Sequence, residues 1–442
     1  INSKTSRYST DSSTATSNGF YRPIETLVET VAAIRRDALD VGATANNKTV
    51  LTVNGTDGDD VVVVTTANGK IAAITVNGVK TDVDASVEAV YFDGLGGNDS
   101  VVYNATGKES ASVDLRFGTT LVVGAQAFVA ANVETFDAND VGAVDVSAYA
   151  ATDNVVVGDG NVAVTTAGGF TFRASGVAEL AAKGGGKAVI VMTGSSGIDA
   201  LSAAGAKVVL AGDGYEYQAT NFASVRVEAV NGSDSASFTD VRTLDATESA
   251  VIAACGSQTI VAVGFDQISA VGTGSSVANI YGTQRDDAVV ANAQSVMMSY
   301  STGATLKLDR FSDVAIDGRG GNDSACLVAG LGVNTFDGSL TSAKLSNGSF
   351  TRALANFSKV SVFGNEDENA KSTLIAELRD TAFADAFAAF GNTATMDVDG
   401  DNLFTIVAAD QVAVKRSVAK GADTVDQDAA IDFVFSVDNW ED

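Results

Sequence analysis

The chain has 442 residues, 45% of them hydrophobic, with 55 acidic against 28 basic side chains and a formal charge of −27. So much apolar material excludes a mostly disordered chain, and a surface this negative repels nucleic acid and anionic lipid while suiting divalent cations or a well-solvated exterior. Histidine is absent, which excludes Ser-His-Asp triads, Cys-His dyads, imidazole zinc sites and histidine general bases.

The chain starts at Ile1 rather than Met. That points to a segment removed upstream, a secretory signal being the natural candidate, and so to a secreted or cell-surface protein. No apolar run reaches the roughly 18 residues that a membrane helix needs, so no transmembrane segment is expected. Residues 1–48 read as an N-terminal extension. Its first part is crowded with Ser and Thr, and Ile1, Tyr8, Phe20 and Tyr21 are its apolar anchors. Pro23, the only proline, then opens a helix over about 23–40 at the position where proline is tolerated. Ile24, Leu27, Val28 and Val31 fall on one face of it, and Gly42 ends it. Such a helix caps the open end of a repeat array or docks another subunit.

From 49 to 442 the sequence reads as one continuous β-solenoid, a parallel β-helix of about eight degenerate units of roughly 46 residues. The marker is a pair of apolar residues three apart, followed by alternation and a Gly/Asp turn. It occurs as Val87 and Val90, Val133 and Phe136, Val177 and Leu180, and Phe222 and Val225. It continues as Phe265 and Ile268, Phe311 and Val314, Phe357 and Val360, and Ala409 and Val412. Period-two alternation such as Val225, Val227, Ala229 indicates strands with one buried face. Asn-Gly and Asp-Gly pairs at 68–69, 77–78, 93–94, 231–232 and 347–348 supply positive φ for tight turns. Each unit therefore holds three or four short strands, about two coils. A string of β-sandwiches is the rival arrangement, because Asn-Gly also marks hairpins. In a solenoid, Phe222, Phe265, Phe311 and Phe357 should stack as a buried column. Cys255 and Cys326 are two buried thiols or one disulfide.

Two longer segments recur. Asn54 to Asp60 returns as Tyr281 to Asp287, and Asp93-Gly-Leu-Gly-Gly-Asn-Asp-Ser100 returns as Asp317-Gly-Arg-Gly-Gly-Asn-Asp-Ser324. The second pair resembles the calcium-binding nonapeptide of RTX proteins, though here each good copy stands alone rather than in tandem. The resemblance implies Ca2+ at these turns, held by Asp93, Asn98 and Asp99 and by Asp317, Asn322 and Asp323, since calcium takes six to eight oxygens from carboxylates and turn carbonyls. The alternative is a set of Gly/Asp turns closed by side-chain hydrogen bonds. The unit as a whole, with its Gly-x-Gly-Gly-Asn-Asp turn and its Phe-x-x-Val strand, resembles repeats of large secreted and surface proteins of planctomycetes. That resemblance implies export and no catalytic residue.

Enzymatic chemistry is not expected. Parallel β-helices host polysaccharide-lyase-like enzymes, but Trp440 is the only tryptophan, and Arg35, Arg36, Arg310 and Arg319 are tied to no carboxylate cluster. Asp59-Asp60 and Asp286-Asp287 are strand neighbours that point to opposite faces, which is poor for shared acid–base work. The expected function is structural: a subunit of an extracellular filament, fibre or surface layer that assembles head to tail with copies of itself. A monomeric calcium-stabilised adhesin is the alternative, and a carbohydrate-active enzyme the second alternative.

Overall fold

The computed structural model describes residues 50–438 apart from 107–108, 116–117, 124–125, 366–371, 380, 382, 400 and 416–423. The expected helix over 23–40 and the anchors Ile1, Tyr8, Phe20 and Tyr21 lie outside these residues. The described part of the protein is all-β. Its 39 strands form one hydrogen-bonded system wound into a β-solenoid of about ten turns, with no helix among the described residues.

Two layers face each other across a single core. The first begins at Val50–Asn54 and finishes at Thr424–Ile431. The second begins at Val79–Asp82 and finishes at Val434–Asp438. Each layer holds about twenty rungs at roughly 4.8 Å, a rod roughly 100 Å long. Along each strand alternate residues point inward: Val155 and Val157, Leu180 and Ala182, and Ile190 and Met192 are all buried. One apolar cluster runs from Val62 to Phe433. Rings tie the layers together, with Phe128 of the first layer 5.9 Å from Tyr103 and 6.1 Å from Phe136 of the second, measured between ring centroids.

The roughly 46-residue spacing is present as a unit of five strands, more than the three or four expected. In one unit Asn154–Gly158, Asn161–Thr165 and Thr171–Ser175 form an antiparallel meander in the second layer. Glu179–Lys183 then crosses to the first layer. Val189–Thr193 crosses back and pairs parallel with Asn154–Gly158. The next meander, Ala200–Ala204, Lys207–Gly212 and Tyr215–Thr220, lies in the first layer, where Tyr215–Thr220 pairs parallel with Glu179–Lys183. The layers are therefore mixed rather than purely parallel, and the hairpins that the Asn-Gly pairs suggested are built into the solenoid. Asn68-Gly69 and Asn77-Gly78 make two-residue turns with φ of 53° and 72°, and of 49° and 83°, the mirror-image turn that matches strand twist.

An odd number of strands per unit turns each successive unit over. This corrects the expected phenylalanine column. Phe222, Phe265, Phe311 and Phe357 are all buried, but their strands alternate between the two layers, and no ring contact joins them among the described residues. Cys255 and Cys326 are free thiols, one in each layer, the first buried and the second partly so.

Candidate functional site

Wherever the backbone crosses between layers, loop N–H groups turn inward and need an acceptor. Three successive crossings stack on one another, and a side-chain oxygen at each serves the loop of its own crossing or the crossing beneath. In the first acidic stack the Thr56 N–H donates to Asp60 Oδ2 at 2.6 Å. The Asp60 N–H donates to Asp99 Oδ1 at 2.8 Å, 39 residues along. The Asp99 N–H donates to Glu134 Oε2 at 2.7 Å. In the second, Ser195 N–H reaches Asp199 Oδ2 at 2.8 Å, Asp199 N–H reaches Asp234 Oδ1 at 2.8 Å, and Asp234 N–H reaches Asp266 Oδ2 at 3.0 Å. In the third, Thr283 N–H reaches Asp287 Oδ2 at 2.6 Å and Asp287 N–H reaches Asp323 Oδ1 at 2.7 Å. The first stack crosses from the first layer to the second. The other two cross the opposite way and lie on the other edge.

Glycine makes room for these carboxylates. Five residues before each of Asp60, Asp99, Asp199, Asp287 and Asp323 stands a glycine against which the carboxylate packs. A Cβ on Gly94 would lie 2.3 Å from Asp99 Oδ2 and 2.1 Å from Asn132 O, and one on Gly318 would lie 2.3 Å from Asp323 Oδ2. The stacked loops are equally close, since a Cβ on Gly232 would meet Gly197 O at 2.1 Å.

Electrostatically the crossings divide in two. At Asp60 the Thr56 N–H holds the carboxyl below its ordinary range. At Asp99, Asp234 and Asp323 burial pushes the carboxyl up, helped by neighbouring carboxylates, and Asp323 reaches about 6. Asp234 Oδ2 and Asp323 Oδ2 are buried without a hydrogen-bond partner, the costly state for a polar atom.

The expected calcium residues fall in these loops in two matching copies. Asp93 Oδ1 accepts from Leu95 N–H at 3.1 Å and Asn132 Nδ2 at 2.7 Å; Asp317 Oδ1 accepts from Arg319 N–H at 3.0 Å and Asn356 Nδ2 at 2.7 Å. Asn98 N–H donates to Asp59 Oδ1 and Asn322 N–H to Asp286 Oδ1, both at 2.8 Å. The fold thus joins the two recurring segments, laying 93–99 on 54–60 and 317–323 on 281–287. Asp60 and Asp287 are buried while Asp59 and Asp286 are exposed, so each pair does point opposite ways, from loops rather than from strands. Among the described residues no group of three or more His, Cys, Asp or Glu is arranged to hold a metal. Most of the carboxylate oxygens in the stacks are spent on loop amides, and the unpartnered Asp323 Oδ2 lies against Gly318.

Sequence reasoning missed Glu134 and the Asp199, Asp234 and Asp266 stack. For Asp199 the signal available was Gly194, five residues before a buried aspartate; Asp234, Asp266 and Glu134 have no glycine at that position. Elsewhere, a shallow hollow of about 600 Å³ is lined by Val156, Asp159, Arg173, Ser195 and Val230 among others, with no aromatic residue. Arg319 lies over the Tyr281 ring, 4.5 Å from its centroid. No protein-family model matches this sequence, and no curated protein matches it.

Proposed function

We propose that the protein is a structural subunit of an extracellular or cell-surface filament, fibre or layer, assembled head to tail from copies of itself. The supporting observation is the pair of layer ends. Among the described residues Val50–Asn54 and Val79–Asp82 each have a strand partner on one side only, as do Thr424–Ile431 and Val434–Asp438 at the far end. Tracing parallel and antiparallel pairs through each layer, the first and last strands run in the same direction. A second copy set end to end would continue both layers with parallel pairs. Val50–Asn54 has no charged residue and no proline, the kind of edge that templates pairing, and a heterologous contact that does not close generates a filament. In this reading residues 1–20 lie extended across the joint, with Ile1, Tyr8, Phe20 and Tyr21 as anchors. Electron microscopy of the purified protein is the test. Deleting residues 1–22 should abolish filaments and leave the β circular-dichroism signal intact. A full-length protein that stays monomeric at high concentration sinks the proposal.

A second reading, a calcium-stabilised monomeric adhesin, draws support from the unpartnered oxygen of Asp323. Asp93, Asn98 and Asp99, with Asp317, Asn322 and Asp323, would supply the oxygens. Calorimetry with calcium and with a chelator separates the readings: no heat and an unchanged melting temperature leave the turns purely structural.

A further inference from the structure

We propose that Asn231 is a site of spontaneous, backbone-assisted deamidation, set apart by the fold from the other Asn-Gly pairs among the described residues. The chemistry needs only water. The backbone nitrogen of Gly232 attacks Cγ of Asn231, forming a new bond between them and closing a five-membered succinimide. The Cγ–Nδ2 bond of Asn231 breaks, and Nδ2 leaves as ammonia, carrying the proton lost from the Gly232 amide. Water then opens the ring at either carbonyl, giving aspartate or its β-linked isomer. The step requires a carboxamide free to turn, a following amide nitrogen free to approach, and a backbone able to swing.

Five Asn-Gly pairs lie among the described residues, and the structure withholds at least one requirement from four of them. At 54–55 the nucleophile is engaged, because Gly55 N–H donates to Asp93 O at 2.7 Å. At 77–78 the carboxamide is held at both ends: Asn77 Oδ1 accepts from Val61 N–H at 2.9 Å and Nδ2 donates to Asp60 Oδ1 at 2.5 Å. Asn347 is held more tightly still. Its Oδ1 accepts from Ser349 N–H and Oγ, both at 2.8 Å, and its Nδ2 donates to Leu331 O at 3.1 Å. Asn68 has a free carboxamide, but it sits in a two-residue hairpin clamped by the Ala67–Lys70 pair. Asn231 is exposed, lies in the irregular loop between Ser224–Glu228 and Ser235–Ala246, and makes no side-chain hydrogen bond; no backbone bond engages Gly232 N–H.

The position gives the reaction a consequence. Gly232 is seated against Gly197, and Asp234 two residues on belongs to the Asp199, Asp234 and Asp266 stack. The aspartate product adds a carboxylate to the loop that carries Asp234, and the β-linked product inserts a methylene into the backbone of that loop. The modification weakens one edge of the rod and leaves its matching loops at 93–99 and 317–323 intact, because neither contains an Asn-Gly pair.

Ageing the purified full-length protein at mildly alkaline pH, followed by peptide mapping, tests the proposal. The peptide carrying Asn231 should gain the amide-to-acid mass change at least about ten times faster than those carrying Asn77 and Asn347, since protection follows the free energy of local opening. Hydroxylamine should cleave the aged protein at 231–232, and Asn231→Gln should abolish both signals. In the denatured protein the five pairs should convert at similar rates, which assigns the selectivity to the fold. Conversion of Asn231 no faster than Asn77 or Asn347, or with Asn68 ahead of it, overturns the proposal.

Discussion

Two sets of crossings solve the same problem with different chemistry. In the stack of Asp287 and Asp323 a carboxylate takes the loop amide of Thr283 and another takes the amide of Asp287. In the stack of Val241, Ser276 and Ser312 hydroxyls do the same work. Ser276 Oγ accepts from Thr273 N–H at 2.8 Å and donates to Val241 O at 2.6 Å, while Ser312 Oγ donates to Ser276 O at 3.1 Å. A neighbouring crossing uses an amide, with Asn334 Oδ1 accepting from Gly330 N–H at 3.0 Å and Nδ2 donating back to Gly330 O at 2.8 Å. Closing the corner therefore needs an oxygen and not a charge. Where the charge is kept, at Asp234 and Asp323, it leaves an unpartnered buried oxygen and costs the fold stability.

The largest effect expected on this comparison comes from the neutral side, which carries one buried charge of opposite sign. Arg352 is fully buried. Its guanidinium donates to the carbonyls of Asn292 and Ala293, both at 3.0 Å, Phe311 at 3.1 Å, Ser312 at 3.0 Å and Thr351 at 2.9 Å. Burial pulls its pKa down to about 10. The first four of these carbonyls belong to a hairpin turn and a crossing, so the one side chain staples two loops. Arg352→Met should cost about 3–5 kcal/mol, because it strands several buried acceptors at once. Thermal unfolding reads the loss, and a variant that melts with the wild type would show that water replaces the guanidinium.

Next in size is the glycine requirement of the acidic crossings. Gly94→Ala and Gly318→Ala drive a methyl into a carboxylate and a neighbouring carbonyl, and each should cost about 1–3 kcal/mol, the range of overpacking. Gly58→Ala is the control, because its nearest neighbour would be Thr56 Oγ1 at 3.8 Å; it should stay within about 0.5 kcal/mol. Equal losses at all three positions in denaturant titration would remove the link between the glycines and the buried aspartates.

How far the sequence carried follows from what each signal encodes. Alternation at Val225 and Val227 or Val360 and Val362 specifies a buried strand face, and those residues are buried. The marker strands kept register because each opens the same crossing. Two things were not legible. The flip of Phe222, Phe265, Phe311 and Phe357 between layers depends on the parity of strands per unit, and a missed strand such as Asn161–Thr165 reverses it. The partners of Asp99 and Asp323 lie in loops 39 and 36 residues away, a separation set by the leap and return of the meander and not by the 46-residue period. Matching Asn54–Asp60 to Tyr281–Asp287 identified both halves of each stack without showing that they touch Asp99 and Asp323.

The smallest expected effect is also the most specific to charge. Asp234 is buried, its Oδ1 accepts the Asp199 N–H, and its Oδ2 has no partner. Asp199 and Asp266 are the carboxylates facing it from the crossings on either side, and Tyr215 donates its hydroxyl to Asp199 at 2.6 Å. Burial first, and these two carboxylates second, raise the pKa of Asp234 above its unfolded value. The folded state therefore holds this proton more tightly than the unfolded one. The stability linked to it is fully present below the ordinary carboxylate range and is lost as pH rises through the raised pKa. Asp234→Asn keeps an acceptor for the Asp199 amide and removes the ionisation. The variant should match or fall slightly below the wild type in acid and overtake it as pH approaches neutrality, so that the two stability curves cross. Ser276→Ala, at the equivalent crossing of the neutral stack, removes a hydroxyl that does not titrate in this range; its loss should be constant with pH. Denaturant midpoints of the three proteins across the acid-to-neutral range decide the matter. Parallel curves for Asp234→Asn and wild type would mean that the stack carries its charge without cost, and the contrast between acidic and neutral crossings would then be one of composition alone.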